Sequence, residues 1–268
     1  FPTEESYRAV FTDFANKLEG KSIIACWDDP GVRSTLASID ASRIITYGWD
    51  PSFDYSASDY HIENGRRSFT ISKHGQLVGQ FSLSLIGRYN ASNALAALAV
   101  CDTLGLIPIE KAATLLESFT GTARRFEYHG MFGTAAVYDD YGHHPTEIRE
   151  TLHAAHHQFP GKKIWCVFAS HTFSRTKALL TGFAHSFKHV EKVLVLDIYS
   201  SAREQQGGIT GQDLADAINE VSGNAEYVGT HDNAVRVLQE NKSAIDVVIT
   251  MGASDVNRIA EKLTAHNA

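Results

Sequence analysis

The chain has 268 residues, of which 43% are hydrophobic and 21% are charged, as in an ordinary globular protein and not in a disordered or collagen-like one. Its 31 acidic residues exceed its 24 basic residues and give a net charge of −7, which disfavours nonspecific binding to a nucleic-acid backbone. A chain of this length can bury the cores of two domains.

Targeting and membrane signals are weak in this sequence. No apolar run approaches the roughly 20 residues of a membrane-spanning helix, and the first residues, FPTEESYRAVF, do not resemble a signal peptide. The three cysteines, Cys26, Cys101 and Cys166, lie far apart in apolar surroundings, which indicates free thiols in a reducing compartment. These features predict a cytoplasmic protein with no membrane or nucleic-acid partner, and they leave the oligomeric state open.

The first part of the chain combines helical periodicity with short β-rich segments. Helices are predicted over residues 4–18, 90–104 and 109–119. Strands are predicted over residues 22–27 and 43–47, and the acidic segment 28–31 is predicted to be a turn. Between residues 54 and 85, alternating segments are separated by turn signals, which indicates an antiparallel meander.

From residue 123 onward, near-continuous apolar strands alternate with amphipathic helices. The predicted strands are 135–138, 163–169, 192–198, 226–228 and 246–251. The predicted helices are 146–158, 174–187, 211–221, 232–240 and 254–265. This alternation predicts an α/β fold with a Rossmann-like, mainly parallel sheet covered on both faces. We therefore predict two domains, 1–122 and 123–268.

Ligands of such sheets bind beyond the carboxyl ends of the strands. The segment Asp139 to His144 follows one strand and contains two carboxylates and two histidines. It could hold a hydrated metal ion, a pair of ribose hydroxyls or a phosphate, or Asp140 could only cap the next helix. A zinc site built on His143 and His144 is disfavoured, because adjacent histidines project differently and no third ligand is placed.

Two further segments carry cationic side chains. Arg124 and Arg125 follow the predicted boundary, where a guanidinium could stabilise charge on a phosphoryl group or could simply be solvated. His171 and Arg175 follow a predicted strand at the head of a helix and suit a carboxylate or a phosphate, or a solvated helix start.

Asn90 and Asn93 lie at the start of the predicted helix 90–104. Asparagine is a favourable helix cap, and this is one interpretation of the pair. Alternatively, the two carboxamides lie three residues apart on one helical face and could recognise a base edge such as that of adenine, since an amide donates and accepts in one plane.

Taken in chain order, the segments GRYNASNALAALAV, GTARRFE, YDDYGHHPTEI, FASHTFSRT, VLVLDIY and ITMGASD resemble the Mur ligases of bacterial cell-wall synthesis. The resemblance covers essentially the whole chain, and DDYGHHPTE with SHTFSRT is its most specific part. It implies the latter part of an α/β ATP-binding central domain followed by a C-terminal Rossmann-like domain. The motifs are most similar to those of the members that join L-alanine to UDP-N-acetylmuramate.

The resemblance also implies the chemistry and the nucleotide contacts. Mur ligases use ATP and Mg²⁺ to activate a carboxylate as an acyl phosphate, which the amine of an amino acid then attacks. By this resemblance, Asn90 and Asn93 would contact adenine, Asp140 would hold the ribose, and Arg125 would reach the γ-phosphate.

The resemblance places other residues near the reacting groups. Tyr141 and His143 would lie beside the reacting centre, as catalytic residues together with Arg125. His171 and Arg175, with Tyr141, would meet the incoming amino acid.

The sequence departs from the family at important positions. It contains no G-x-x-x-x-G-K-[ST] phosphate-binding loop and no counterpart of the family's upstream Mg²⁺ ligands, so we expect a piece of a longer ligase that is inactive alone. Thr172 stands where the family usually has arginine, which leaves the amino acid open, although Arg203 could substitute. Two alternatives remain: a nucleotide- or amino-acid-binding module without catalysis, and a UDP-N-acetylmuramate:peptide ligase of the same family.

Overall fold

A computed structural model describes residues 3–18, 20–63, 65–200 and 207–265 of the chain. The chain divides into two compact units, Phe1–Thr120 and Gly121–Ala268, each with its own sheet. The sequence prediction placed this division at residue 122. Among the described residues, no helix has the length and apolar character needed to cross a membrane.

Among its described residues, the first unit contains a five-stranded sheet and four α-helices. The strands are β1 (Ile23–Cys26), β2 (Ile44–Gly48), β3 (Tyr55–Glu63), β4 (Arg66–Lys73) and β5 (Gln76–Leu83). The helices are α1 (Glu4–Lys17), α2 (Pro30–Thr35), α3 (Arg88–Thr103) and α4 (Ile109–Glu117). The sheet order is β1-β2-β3-β4-β5, parallel from β1 to β3 and antiparallel from β3 to β5, so the predicted meander is confirmed.

One short helix of this unit was predicted as a turn. The Asp29 carboxylate accepts the N–H groups of Gly31 and Val32, and Pro30 occupies the first turn of α2. These are the features of a helix N-terminus, not of an isolated turn. The prediction was wrong because a helix of only six residues is too short to display a helical period.

Helix α3 packs on the meander through its apolar face. Leu95 and Leu98 are buried against Phe69 of β4 in one hydrophobic cluster. The start of the helix is held by Trp49, whose ring stacks under the Arg88 guanidinium at 3.9 Å. The Trp49 ring thereby holds the first turns of α3, which carry Asn90 and Asn93.

The second unit contains a six-stranded sheet and six helices in the part of the chain that the structure describes. The strands are β6 (Glu127–Phe132), β7 (Ala135–Asp140), β8 (Ile164–Phe168), β9 (Lys192–Leu196), β10 (Ala225–Gly229) and β11 (Val247–Met251). The helices are α5 (Pro145–Gln158), α6 (Phe173–Ala178), α7 (Leu180–Ala184), α8 (Gly211–Val221), α9 (His231–Glu240) and α10 (Asn257–Thr264).

The order of the second sheet is β10-β9-β8-β11-β7-β6, and every pairing is parallel except that of β6 with β7. The predicted mainly parallel, Rossmann-like fold is therefore confirmed. Two details were wrong. The edge strand β6 was missed, because the register shifts between Tyr128 and Gly130 and disturbs the alternation. The predicted helix 174–187 is two helices, interrupted at Leu179.

Helices cover both faces of this sheet, so its central strands are buried throughout. Residues of α5, α7 and α8 form one hydrophobic cluster with the sheet, and residues of α9 and α10 form another. The neighbouring parallel strands β8 and β11 approach each other closely just beyond their carboxyl ends. A Cβ at Gly252 would lie 2.3 Å from the Ala169 carbonyl oxygen, so glycine is required there.

Four histidines cluster at the end of α5 and beside it. The ring of His153 lies 4.5 Å from that of His157 and 4.9 Å from that of His189, while His156 lies 5.6 Å from His189, measured between ring centres. Burial first, and then the three neighbouring imidazoles, lower the pKa of His189 below its usual value of 6.5, and Glu150 opposes them.

We predict that acidification destabilises this unit through His189. As the pH falls through the range just below 6.5, the unfolded chain takes up a proton at this position before the folded chain does, so the free energy of unfolding falls. His189→Gln should reduce that loss, as measured by urea denaturation at about pH 7.5 and about pH 5.5. His185→Gln is the control, and an equal change in both variants would contradict the prediction.

Candidate active site

A buried ion pair fixes the chain where it enters the second unit. Arg124 donates through Nε to Asp139 Oδ2 at 2.8 Å, and through its terminal nitrogens to the carbonyl oxygens of Gly252 (2.7 Å) and Ser254 (2.9 Å). Asp139 is 0% exposed, and its other oxygen accepts the Thr250 hydroxyl at 2.6 Å. Arg124 therefore ties this segment to the carboxyl ends of β7 and β11, a structural role.

Asp140 connects the same segment to the loop after β7. It is 3% exposed; Oδ1 accepts the Gly142 N–H at 2.8 Å, and Oδ2 accepts the Phe126 N–H at 2.9 Å. Burial raises the pKa of Asp140 to about 6, although the two backbone N–H groups and the Arg125 charge act in the opposite direction. The carboxylate thus has a local structural role, and its contact with ribose stays a prediction.

The three residues predicted to be catalytic are neighbours. Arg125 is exposed, and its guanidinium carbon lies 5.8 Å from the centre of the Tyr141 ring. The Tyr141 ring meets the His143 ring edge to face at 5.3 Å. His143 Nδ1 lies 3.1 Å from the Tyr141 carbonyl oxygen and 3.4 Å from the Glu147 carboxylate. These side chains form one cluster next to the buried Asp140.

The start of α5 holds this loop in place. His144 is the helix N-cap, accepting the Thr146 N–H through Nδ1, while the Glu147 carboxylate accepts the N–H groups of His143 (3.0 Å) and His144 (3.2 Å). Glu147 was not among the predicted residues, although a glutamate three residues after an N-cap is a recognisable signal. Burial is the main factor that lowers the pKa of His144, and the Arg175 charge contributes, so α6 influences this loop.

The segment after β8 carries the predicted amino-acid contacts. His171 forms a β-bridge with Tyr199, and the two rings stack at 5.8 Å with an angle of 20°. Thr172 has a left-handed φ of 69°, which is strained for a β-branched residue and is typical of functional sites.

Arg175 is the most informative residue of this segment. Its Nη1 is buried and has no hydrogen-bond partner in the part of the chain that the structure describes. A buried guanidinium nitrogen is normally bonded, because leaving it without an acceptor costs free energy. The environment of Arg175 therefore suits an anionic ligand such as a carboxylate.

The two predicted adenine contacts lie in the first unit, near the start of α3. Gly87 is the N-cap of this helix, so the interpretation of Asn90 as a cap is wrong. The Asn90 amide instead donates to the Ile86 carbonyl oxygen at 2.7 Å, and Asn93 is exposed. Their recognition of a base stays a prediction.

Comparisons with known proteins identify the family of both units. The profile of the Mur ligase middle domain matches residues 1–101, and that of the Mur ligase glutamate ligase domain matches residues 124–254. The chain belongs to the Mur ligase family. It is 37% identical, over 100% of its length, to the UDP-N-acetylmuramate–L-alanine ligase of Caldanaerobacter subterraneus subsp. tengcongensis, and it covers 58% of that protein.

Solved Mur ligases share the fold of the chain. The UDP-N-acetylmuramate–alanine ligase of Thermotoga maritima aligns over 99% of this chain and 55% of its own, with a TM-score of 0.77 and 22% identity. The MurF ligase of the same organism, solved in complex with ADP, aligns over 93% of this chain and 55% of its own, with a TM-score of 0.67 and 20% identity. The chain therefore spans just over half the length of these Mur ligases.

Across the described ranges, no group of three His, Cys, Asp or Glu side chains could hold a metal ion. Arg203, considered as a substitute for the arginine that the family has at Thr172, lies outside the described residues.

Proposed function

We propose that the chain provides part of the ATP site and the amino-acid site of a ligase that joins L-alanine to UDP-N-acetylmuramate in peptidoglycan precursor synthesis. The γ-phosphoryl group of ATP would pass to the sugar carboxylate, giving an acyl phosphate and ADP. The alanine amine would then attack the acyl carbon, forming the amide and releasing phosphate. Mg²⁺ would neutralise charge on the phosphates.

The single observation that best supports this proposal is the buried, unbonded Nη1 of Arg175 within the described part of the chain. A free amino acid always carries an α-carboxylate, and a guanidinium binds a carboxylate through two parallel N–H bonds. His171 lies four residues earlier on the same segment, stacked on Tyr199. Together they could hold the carboxylate so that the amine faces the acyl phosphate.

The cluster of Arg125, Tyr141 and His143 supports the phosphoryl-transfer half of the proposal. Arg125 is exposed beside the Tyr141 ring, so its charge can meet the γ-phosphate without breaking an internal ion pair. His143 lies within 3.4 Å of the Glu147 carboxylate, which orients the imidazole. A neutral imidazole there could accept a proton from the ammonium group of the amino acid, which leaves the amine that attacks the acyl phosphate.

The nucleotide assignments complete the proposal. Asn90 and Asn93 would contact adenine, and Asp140 would accept a ribose hydroxyl with a lone pair that its backbone bonds leave unused. We propose further that the 268 residues bind substrates but do not turn them over alone, because they contain no G-x-x-x-x-G-K-[ST] loop to hold the phosphates.

The test compares the 268-residue chain with the polypeptide encoded by the complete reading frame. Each is mixed with ATP, Mg²⁺, UDP-N-acetylmuramate and L-alanine, and the amide product is followed by mass spectrometry together with phosphate release. We expect alanine-dependent product from the complete polypeptide only. Phosphate release stimulated by a tripeptide and not by L-alanine would favour the peptide ligase. ATP binding without product from either would favour a binding module.

A further inference from the structure

A pair of histidines lies on the outer face of α5, in the second half of the helix. His153 and His157 are exposed, whereas Leu152 and Ala155 of the same helix are buried in the core. A spacing of four residues places two side chains next to each other on one helical face. His153 follows His144, the N-cap of α5, by nine residues, so the pair lies about 14 Å along the helix from the loop of the candidate active site.

The nitrogen atoms of this pair have the separation of two ligands of one metal ion. His153 Nε2 lies 3.0 Å from His157 Nε2, and the ring centres are 4.5 Å apart. Two nitrogens that each lie about 2.0–2.1 Å from one ion are about 2.9 Å apart at a right angle and about 3.3 Å apart at the tetrahedral angle. The observed separation lies between these values. Only the rings have to turn so that both nitrogens point at an ion, and exposed side chains rotate readily.

Without a metal ion, the two imidazoles share a hydrogen bond between their Nε2 atoms. One ring has to donate and the other has to accept, so at least one Nε2 of the pair is unprotonated. An unprotonated imidazole nitrogen is the form that binds a metal ion. Because water competes for both partners of an exposed hydrogen bond, this bond contributes little to stability. An ion can therefore replace the shared proton at a small cost in free energy.

The neighbours of the pair determine which ions suit it. The His189 ring lies 4.9 Å from that of His153, and the His156 ring lies 6.0 Å from that of His157, measured between ring centres. As the described side chains stand, only the two nitrogens of the pair converge, so water has to fill the other coordination positions. Imidazole donors suit Cu²⁺, Ni²⁺ and Zn²⁺, whereas Mg²⁺ and Ca²⁺ prefer oxygen ligands.

The pair also lies where an ion would affect the helix itself. His157 belongs to the last turn of α5, and the helix is closed by the bond from the Phe159 N–H to the Ala155 carbonyl oxygen at 3.0 Å. Helix ends fray because their last hydrogen bonds are easily exchanged for bonds to water. An ion that binds side chains one turn apart holds that turn closed, so its binding free energy stabilises the end of the helix.

We propose that His153 and His157 form a surface site for a divalent transition-metal ion of the Cu²⁺, Ni²⁺ and Zn²⁺ class. Each histidine supplies its Nε2, and water completes the coordination. The bound ion fastens the last turns of α5. The inference does not depend on the proposed function, because it uses none of the residues assigned to ATP or to the amino acid, and the site does not take the Mg²⁺ of the proposed reaction.

The test is titration of the metal-free 268-residue chain with Zn²⁺, Ni²⁺, Cu²⁺ and Mg²⁺, followed by calorimetry. Because the chain has 13 histidines, NMR of the imidazole groups has to show which of them respond to Zn²⁺. We expect saturable binding at His153 and His157, tightest for Cu²⁺, and no binding of Mg²⁺ there. His157→Gln should raise the dissociation constant at least roughly tenfold. Absence of saturable binding below roughly 100 µM Cu²⁺, or an unchanged constant in this variant, would overturn the proposal.

Two other histidines provide matched controls. His185 is exposed, and its Nδ1 lies 2.8 Å from the Thr181 carbonyl oxygen, so His185→Gln should leave the dissociation constant unchanged. His156 is exposed in the same last turn of α5 as His157, but it is three residues from His153 and not four. His156→Gln should therefore have little effect. An equal loss of affinity in His156→Gln and His157→Gln would mean that the histidines bind metal without a defined pair, and the proposal would be wrong.

A second readout tests whether the ion bridges the helical turn. Hydrogen exchange of the amides of residues 155–159, measured by mass spectrometry, should slow when Zn²⁺ saturates the site, and EDTA should reverse the change. The same amides should not slow in His157→Gln, which keeps the helix but lacks one ligand. Exchange that stays equally fast in the saturated chain would show that the two histidines do not bind one ion, and this too would overturn the proposal.

Discussion

Replacing Asp139 with alanine is expected to lower the free energy of unfolding of the second unit by about 3–5 kcal/mol, as for other buried ion pairs that lose one partner. The carboxylate is completely buried and binds both Arg124 and the Thr250 hydroxyl. Its removal leaves a guanidinium without its counter-charge and a buried hydroxyl without its acceptor. The loss of stability arises mainly from these two buried groups that no longer have a partner.

The measurement is urea denaturation followed by hydrogen exchange and mass spectrometry, which reports the loss of protection in β7 and β11 separately from the first unit. Asp232→Ala is the matched control, because its ion pair with Lys262 is 2.8 Å long but Asp232 is 87% exposed. That variant should lose far less stability, because an exposed ion pair contributes little. Equal losses in the two variants would refute the importance of burial.

A double variant tests whether the guanidinium of Arg124, left without its counter-charge, causes the loss of stability. Arg124→Met combined with Asp139→Ala should recover part of the stability lost by Asp139→Ala, because it removes the uncompensated charge. It should not restore the position of Arg125, whose neighbour no longer bonds to the carbonyl oxygens of Gly252 and Ser254. Recovered stability, together with loss of ligase activity when the same double variant is made in the polypeptide encoded by the complete reading frame, would identify Arg124 as a positioning residue.

The main strands of the second unit could be predicted because the physics that forms them is local and repeated. All five residues of β8 and all five of β11 are buried, so β8 appears in the sequence as an unbroken apolar run and β11 as an apolar run interrupted only by Thr250. The edge strand β6 has no such run, and Gly130 lies at a register shift. Tertiary pairing with β7, which the sequence does not encode locally, decides its conformation.

The location of the candidate site could also be predicted, but the division of roles within it could not. Parallel strands bring their carboxyl ends to one edge, so the polar segments after β7 and β8 were expected to carry the chemistry. Arg124 and Arg125 are adjacent and chemically identical. Only the left-handed φ of 58° at Arg124 and the buried Asp139 direct one guanidinium inward, while the other is exposed.

Replacing Arg175 is expected to have the largest effect on amino-acid binding. Losing one partner of a buried, hydrogen-bonded charge pair costs about 2–5 kcal/mol, so in the polypeptide encoded by the complete reading frame Arg175→Ala should raise the KM for L-alanine by a factor of about 30 to about 5,000. Arg175→Lys should remain impaired, because an ammonium group keeps the charge but not the planar pair of donors. The KM for ATP should hardly change, since no nucleotide contact is assigned to this residue.

The stability of the same variants distinguishes a ligand-binding arginine from a structural one. Since Nη1 has no acceptor among the described residues, Arg175→Ala should not lower the free energy of unfolding in the absence of ligand. Arg236→Ala, which breaks only an exposed ion pair with Glu240, is the control for both measurements. An unchanged KM, or a loss of stability above about 2 kcal/mol, would contradict a carboxylate-binding role.

Thr172 offers a reciprocal test of how the carboxylate is bound. The family usually has an arginine at this position, three residues before Arg175 on the same segment. If a single guanidinium now holds the amino acid, Thr172→Arg should restore part of the affinity lost in Arg175→Ala. The left-handed φ of 69° is no harder for arginine than for a β-branched threonine, so the backbone can keep its course. Failure of this rescue would mean that the segment has adapted to a different amino acid.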